Sequence, residues 1–216
     1  MKSHLLSLPP GWIQTYTGRA FGILDPNPDD IVIEDIAHAL SQQCRYAGHC
    51  IQFASVAEHC RLLWELASKP NRRAALLHDA TETYLVDVPR PIKELLPDYK
   101  KIEHVLASVI AAKFGVEYPW PDEVLQLDAR ILLDERAQNM APFLPRAAAT
   151  LEEFEGADGF TLGDGQMEGP SGLAGYTWTK IEESGWPFHL EPIGVKLQFW
   201  SPAEAEEKFL EAFFTR

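Results

Sequence analysis

Three polar residues stand where helical patterning calls for apolar ones. His59 falls on the stripe Val56, His59, Cys60, Leu63, Leu66; His78 on the face Ala74, Leu77, His78, Thr81, Leu85; Asp128 on the stripe Val124, Leu127, Asp128, Ile131. Burying such groups unpaired is costly, so something must satisfy them. His78 is followed directly by Asp79, so three separate helices would bring two imidazoles and two carboxylates together. Nitrogen and carboxylate oxygen in one site suit a first-row divalent metal, and an ion at the meeting point would stabilise all four groups at once. Each residue also has a plainer explanation. His59 can be a hydrogen-bonded core histidine, Asp128 a buried partner of an arginine, and an adjacent His-Asp pair occurs by chance.

The elements that must position these residues are helical over about 30–140. Ile33, Ile36, Ala37 and Leu40 mark a first helix. Ser55-Val56-Ala57-Glu58 reads as a capping box opening the second. The third ends near Val86, before Pro89 and Pro91. A fourth runs from about Asp98 to Phe114 with Ile102, Val105, Leu106 and Val109 inward and Gly115 as its stop, and a fifth follows Pro121. Trp12–Thr17 carries β-type residues, and Asp25-Pro26-Asn27-Pro28 is a turn cluster. Residues 156–175 are Gly-rich and read as a long surface loop; Val195–Phe199 alternates like a short strand; Ser201-Pro202-Ala203-Glu204 caps a last helix ending near Phe214. The expected fold class is all-α, a helical bundle with a few short strands in its terminal decorations, in one domain over 1–216.

Composition narrows the function classes. Hydrophobic residues at 46% exclude a disordered chain. No apolar run approaches the roughly 18 residues of a membrane span, and Met1–Pro10 lacks the pattern of a signal peptide. The net charge of −13 opposes a nucleic-acid partner, because a phosphate backbone needs a Lys/Arg footprint. It suits a small substrate reached through a locally corrected pocket. Cys44, Cys50 and Cys60 lack zinc-site spacing and read as reduced thiols of a cytoplasmic protein.

The segments Ser55–His59, Leu76–Glu82, Asp87–Lys93 and Leu127-Asp128, with Glu135 beyond, resemble the HD-domain metal-dependent phosphohydrolases. The resemblance is strongest to the bacterial 5′-deoxynucleotidase branch, whose Arg-aromatic pair Arg45-Tyr46 matches; it covers roughly residues 40–140. It implies an HD-domain helical fold with His59, His78, Asp79 and Asp128 as ligands of one divalent ion (Mn, Co, Fe, Ni, Mg or Zn). Glu82, with Asp79, would serve catalysis by orienting or deprotonating a metal-bound water. Arg45 would hold the substrate phosphate by paired hydrogen bonds, Tyr46 would lie against the nucleotide, and Asp87 would sit at the sugar end. The implied reaction is hydrolysis of (deoxy)nucleoside 5′-monophosphates to nucleoside and phosphate. Tyr46 stands where the branch often has Trp, so the choice between deoxyribose and ribose stays open. The same ligand set serves dNTP triphosphohydrolysis or phosphodiester cleavage in related proteins, and a non-catalytic metal- and nucleotide-binding module is a third reading. Oligomeric state is open; a homodimer is the habit of the family.

Overall fold

Trp12–Gln14 (β1) and Ala20–Gly22 (β2) form an antiparallel hairpin in the register Trp12↔Gly22, Ile13↔Phe21, Gln14↔Ala20. Gly18 closes the turn at φ +84°, a left-handed conformation that other residues enter only under strain. The hairpin is a clip rather than the start of a sheet. Phe21 enters the core and stacks on Tyr84, and the backbone N–H and hydroxyl of Thr17 donate to the Asp35 carboxylate at 2.7 and 3.0 Å. The computed structural model describes residues 11–141 and 191–215, and these are mostly helical. The Gly-rich stretch 156–175 lies outside the described residues.

Helix α1 (Ile33–Gln42) buries Ile33, Ile36, Ala37 and Leu40, as its periodicity requires. Helix α2 (Val56–Leu66) is capped by the Ser55 hydroxyl, which accepts from the Glu58 N–H at 3.0 Å. The expected capping box is only half formed. The Glu58 carboxylate is buried and turns away to accept the N–H groups of Gln198, Phe199 and Trp200 at 2.7–3.0 Å. For the same reason the strand expected at Val195–Phe199 is absent. No neighbouring strand is offered among the described residues, and side chains take the N–H groups instead: Asp134 those of Ile193 and Gly194, Gln138 that of Leu197, Glu58 the next three.

The third helix also departs from expectation. It is split into α3 (Arg72–Leu77) and α4 (Glu82–Leu85) by a turn at 78–81 whose backbone bonds tighten to three-residue spacing, Ala80 to Leu77 and Glu82 to Asp79. A further short helix, α5 (Arg90–Lys93), starts at Pro89-Arg90-Pro91, where proline fits the first helical turn. Helix α6 (Pro97–Phe114) ends at left-handed Gly115 and buries Leu106, Ala107, Ile110 and Ala111. Val105, expected inward, is 48% exposed, because the buried stripe runs one position later. Helices α7 (Asp122–Asn139) and α8 (Pro202–Phe214) complete the set, and α8 has both halves of its capping box.

Helix α2 is the shared element. With α1 and α8 it encloses Ile36, Leu40, Val56, Cys60, Leu76 and Phe209; with α3 and α7 it encloses Leu63, Ala75, Val124 and Ile131. Each fully buried Val, Leu, Ile or Phe among these contributes about 1.5–3 kcal/mol, so the position of α2, and of any polar group on it, is set by packing on both sides. Among the described residues no helix is long and apolar enough to cross a membrane.

Candidate metal centre

His59 is carried into the interior by its stripe neighbours and is 1% exposed. Its Nδ1 donates to Glu135 Oε1 on α7 at 2.7 Å. Its Nε2 faces His78 Nε2 at 3.3 Å, Asp128 Oδ1 at 3.2 Å and Asp79 Oδ2 at 3.6 Å. His78 sits in the tightened turn, donates from Nδ1 to the Ala75 carbonyl at 2.8 Å, and brings Nε2 to 3.2 Å from Asp79 Oδ2 and 3.7 Å from Asp128 Oδ1. The structure thus brings together the four side chains expected to converge, from α2, the α3–α4 turn and α7. His59, His78 and Asp128 form a group that could hold a metal ion.

The donor set fits a cation for a specific reason. Both Nδ1–H groups are committed to acceptors, so a neutral imidazole at either position has its lone pair on Nε2. Two such lone pairs then face each other and two carboxylates. Only protons or a positive ion can sit among four acceptors. Without an ion, protons do it. Burial and Arg45 push His59 down, but Glu135 and Asp128 more than offset them and hold it above its usual range. Burial likewise opposes His78, and Asp79 and the Asp128 contact raise it well above. The carboxylates respond in kind. Burial opposes ionisation of Asp79, yet His78 brings it down to about 2, and hydrogen bonds from both histidines hold Asp128 well below its usual range. Cys60 reaches His78 and Asp79 as well, but burial pushes its thiol up to about 11, which keeps it protonated and a poor ligand.

Glu135 organises the side of the cluster away from His78. Its Oε2 accepts from Arg45 Nε at 3.3 Å, Arg45 Nη2 at 3.0 Å and the Tyr46 hydroxyl at 2.5 Å. Burial opposes its ionisation, but Arg45 and His59 bring it down to about 2. Arg45 is therefore buried and paired, with Nη1 turned toward Asp79 at 3.9 Å. Glu82 opens α4 and is buried, and its Oε2 has no hydrogen-bond partner among the described residues. Burial, with the negative charges of Asp79 and Asp87, raises it well above the usual carboxyl range. Asp87 is half-buried and is raised by burial and by Asp79, with Arg45 opposing.

Two organising residues were given no role on sequence grounds. Glu135 follows Asp128 by seven positions, two turns along one face of α7, and that spacing is the signal that would have assigned it. Gln43, just past α1, donates to the Ala39 and Glu82 carbonyls and accepts from the Asp87 N–H, tying the end of α1 to α4; nothing in its sequence context marks it. Of the other histidines, His38 pairs with Glu206 and stacks on Tyr16, His104 meets the Tyr118 hydroxyl, and His49 is exposed.

No protein-family model matches the chain. It is 44% identical over 125 residues to the uncharacterized protein YfdR of Escherichia coli (strain K12), across 58% of this chain and 70% of that protein. It is 39% identical over 115 residues to an uncharacterized protein of Rhodobacter capsulatus, across 49% of this chain and 59% of that protein, under two thirds of the relative's length.

Proposed function

We propose, from the premise that this chain belongs to the family of the Escherichia coli protein YfdR, that it is a metal-dependent phosphohydrolase acting on nucleotides, hydrolysing (deoxy)nucleoside 5′-monophosphates to nucleoside and phosphate. One observation carries the reading: His59, His78, Asp79 and Asp128 turn acceptor atoms toward one another at 3.2–3.7 Å between packed helices. The order of those residues, with the intervening Asp87-Val88-Pro89 segment, supports an HD-domain identity by resemblance.

A divalent ion held by these four groups would supply Lewis-acid stabilisation of a phosphoryl oxygen and activation of water at neutral pH. The remaining chemistry belongs to the chain. Glu135 keeps His59 in the tautomer that presents Nε2, and the Ala75 carbonyl does the same for His78. Burial and the nearby Asp79 and Asp87 raise Glu82 well above the usual carboxyl range, which favours its protonated form and suits it to protonate the departing oxygen. Arg45 supplies the fixed positive charge that lets a phosphate dianion approach Asp79, Glu82 and Asp87, with its Nη1 edge as the contact. Tyr46 and Asp87 flank this region and are the candidates for contact with base and sugar.

The test is metal analysis of the purified chain, then a panel of dNMPs, NMPs, dNTPs and cyclic diesters with Mn, Co, Fe, Ni, Mg and Zn. Orthophosphate from monophosphates is the expected product. Tripolyphosphate or an opened diester would move the reading to the related reactions, and tight nucleotide binding without turnover would make the chain a binding module. Asp79→Ala should lose metal and activity with its circular dichroism unchanged. Full activity of metal-free protein would overturn the proposal.

A further inference from the structure

Cys44 and Cys50 bracket the turn that carries Arg45 and Tyr46, and their sulfurs lie 3.4 Å apart. Their proximity does not depend on the thiols themselves. On one side, Cys44 bridges to Ser55, with the Arg45 N–H on the Ala54 carbonyl and the Val56 N–H on the Gln43 carbonyl. On the other, the residues after Cys50 are tied to Asn139 of α7: Ile51 N–H to its carbonyl at 2.8 Å, Gln52 N–H to its side-chain oxygen at 2.8 Å, and its side-chain nitrogen to the Gln52 carbonyl at 2.9 Å. Between these anchors the chain turns sharply, with Tyr46, Ala47 and Gly48 all at positive φ. Both residues are half-buried, whereas Cys60 is buried in the core.

We propose that Cys44 and Cys50 are a redox modification site, a dithiol that a hydroperoxide converts to an intramolecular disulfide. In the first step one sulfur attacks the peroxide oxygen; the O–O bond breaks, the alcohol or water leaves, and a sulfenic acid forms. In the second step the other sulfur attacks the sulfenic sulfur; the S–S bond forms and water leaves. Two thiols are oxidised by two electrons, the peroxide takes up both, and the thiol protons leave in the products. The pair must close from 3.4 Å to about 2.05 Å, a small movement for two side chains already held together, and this short loop carries little closure entropy. The resulting ring would clamp the segment whose Arg45 and Tyr46 hold Glu135, and through Glu135 would reach His59.

The experiment uses the full chain and does not depend on the metal-centre reading. The protein is exposed to hydrogen peroxide, quenched, denatured and alkylated. The expected result is a fall from three alkylatable thiols to one, Cys60. The intact mass should drop by two hydrogens, peptide mapping should join Cys44 to Cys50, and dithiothreitol should restore all three thiols. Cys44→Ser and Cys50→Ser should each abolish the loss of mass and yield an oxygen adduct instead, while Cys60→Ala should leave it intact. Retention of three thiols after excess peroxide, stepwise oxygen addition with no cross-link in the wild type, or a cross-link that uses Cys60 would overturn the proposal.

Discussion

Replacing Glu135 by Gln tests the link between the buried arginine and the metal centre. The carboxylate receives four contacts, three on Oε2 from Arg45 and Tyr46 and one on Oε1 from His59. An amide of the same shape must point its NH2 either at the His59 N–H or at the Arg45–Tyr46 donors, so donor meets donor in both orientations. The guanidinium also loses its only carboxylate partner within 3.5 Å among the described residues, leaving Asp79 at 3.9 Å. Both residues of the pair are buried, so solvent screens little of the loss, and breaking such a pair costs about 3–5 kcal/mol. Set against a typical domain stability of about 5–15 kcal/mol, that is a large fraction. Independently, His59 loses the acceptor that fixes its tautomer, which lowers metal affinity by roughly 10–100-fold, or about 1.4–2.8 kcal/mol. Urea denaturation of metal-free protein reads the first effect and calorimetric titration with Mn²⁺ or Zn²⁺ the second. Adding Arg45→Met to Glu135→Gln should recover part of the stability, because the uncompensated charge is gone, while affinity stays low, because His59 is still unsupported. A single mutant with stability within about 0.5 kcal/mol, the range of ordinary surface changes, and with unchanged metal affinity would refute the reasoning.

Glu82→Gln keeps the metal ligands but removes the proton, so metal content should stay constant while kcat falls by roughly 10²–10⁴-fold; an unchanged kcat would remove Glu82 from the chemistry. Glu58→Gln replaces a carboxylate that accepts three backbone N–H groups. It should cost about 1–3 kcal/mol and open the chain to protease around residues 195–200; an unaltered digestion pattern would count against that anchor. Metal-free protein should show its own pH optimum. The raised His59 and His78 stabilise the fold fully below about pH 6.5, and that share is lost as pH rises through their folded values. The lowered Asp79, Asp128 and Glu135 stabilise it above about pH 4.5, and that share is lost as pH falls through their folded values, about 2 for Asp79 and Glu135. Denaturation midpoints in chelator should therefore peak between these limits. Adding a divalent metal should move the peak upward, because ligation requires neutral imidazoles; a flat metal-free profile from pH 5 to 9 would contradict the protonated cluster.

Elements held by one apolar face were readable from residue pattern. Helix α1, the capped start of α2, the Gly115 stop of α6 and the capping box of α8 all follow from local chemistry. The misreadings share a cause, in that burial has a period and backbone pairing does not. Val195, Leu197 and Phe199 alternate because one side packs on the cluster around Leu63 and Ile131, and that alternation holds whether the N–H groups meet a strand or, as here, the side chains of Glu58, Asp134 and Gln138. The apolar spacing through His78–Thr81 likewise fits both a continuous helix and a turn tightened by one residue, because neighbours three and four apart share a face in either. Glu58 misled for a related reason. A glutamate three residues after a serine satisfies the capping-box pattern, and only the tail, more than a hundred residues away in sequence, determines where the carboxylate goes.

The centre was legible to the extent that it interrupts patterns. His59 is the one imidazole among fully buried neighbours on α2, and Asp128 lies half-buried on the α7 stripe whose Val124 and Ile131 are fully buried, so the need for partners could be read before the partners were known. Arg45 could not be read that way. It sits in no periodic element, and its place depends on a turn with Tyr46 and Ala47 in left-handed conformations that cost roughly 1–3 kcal/mol each and persist only because Ser55 and Asn139 hold both ends. What makes the guanidinium tolerable inside is Glu135, and the same carboxylate fixes His59. A residue that neutralises a buried cation and orients a ligand imidazole couples the two, so substitutions at Arg45, Glu135 and His59 should be strongly non-additive in metal affinity. Additive effects across those three positions would mean that the arginine turn and the metal centre merely adjoin.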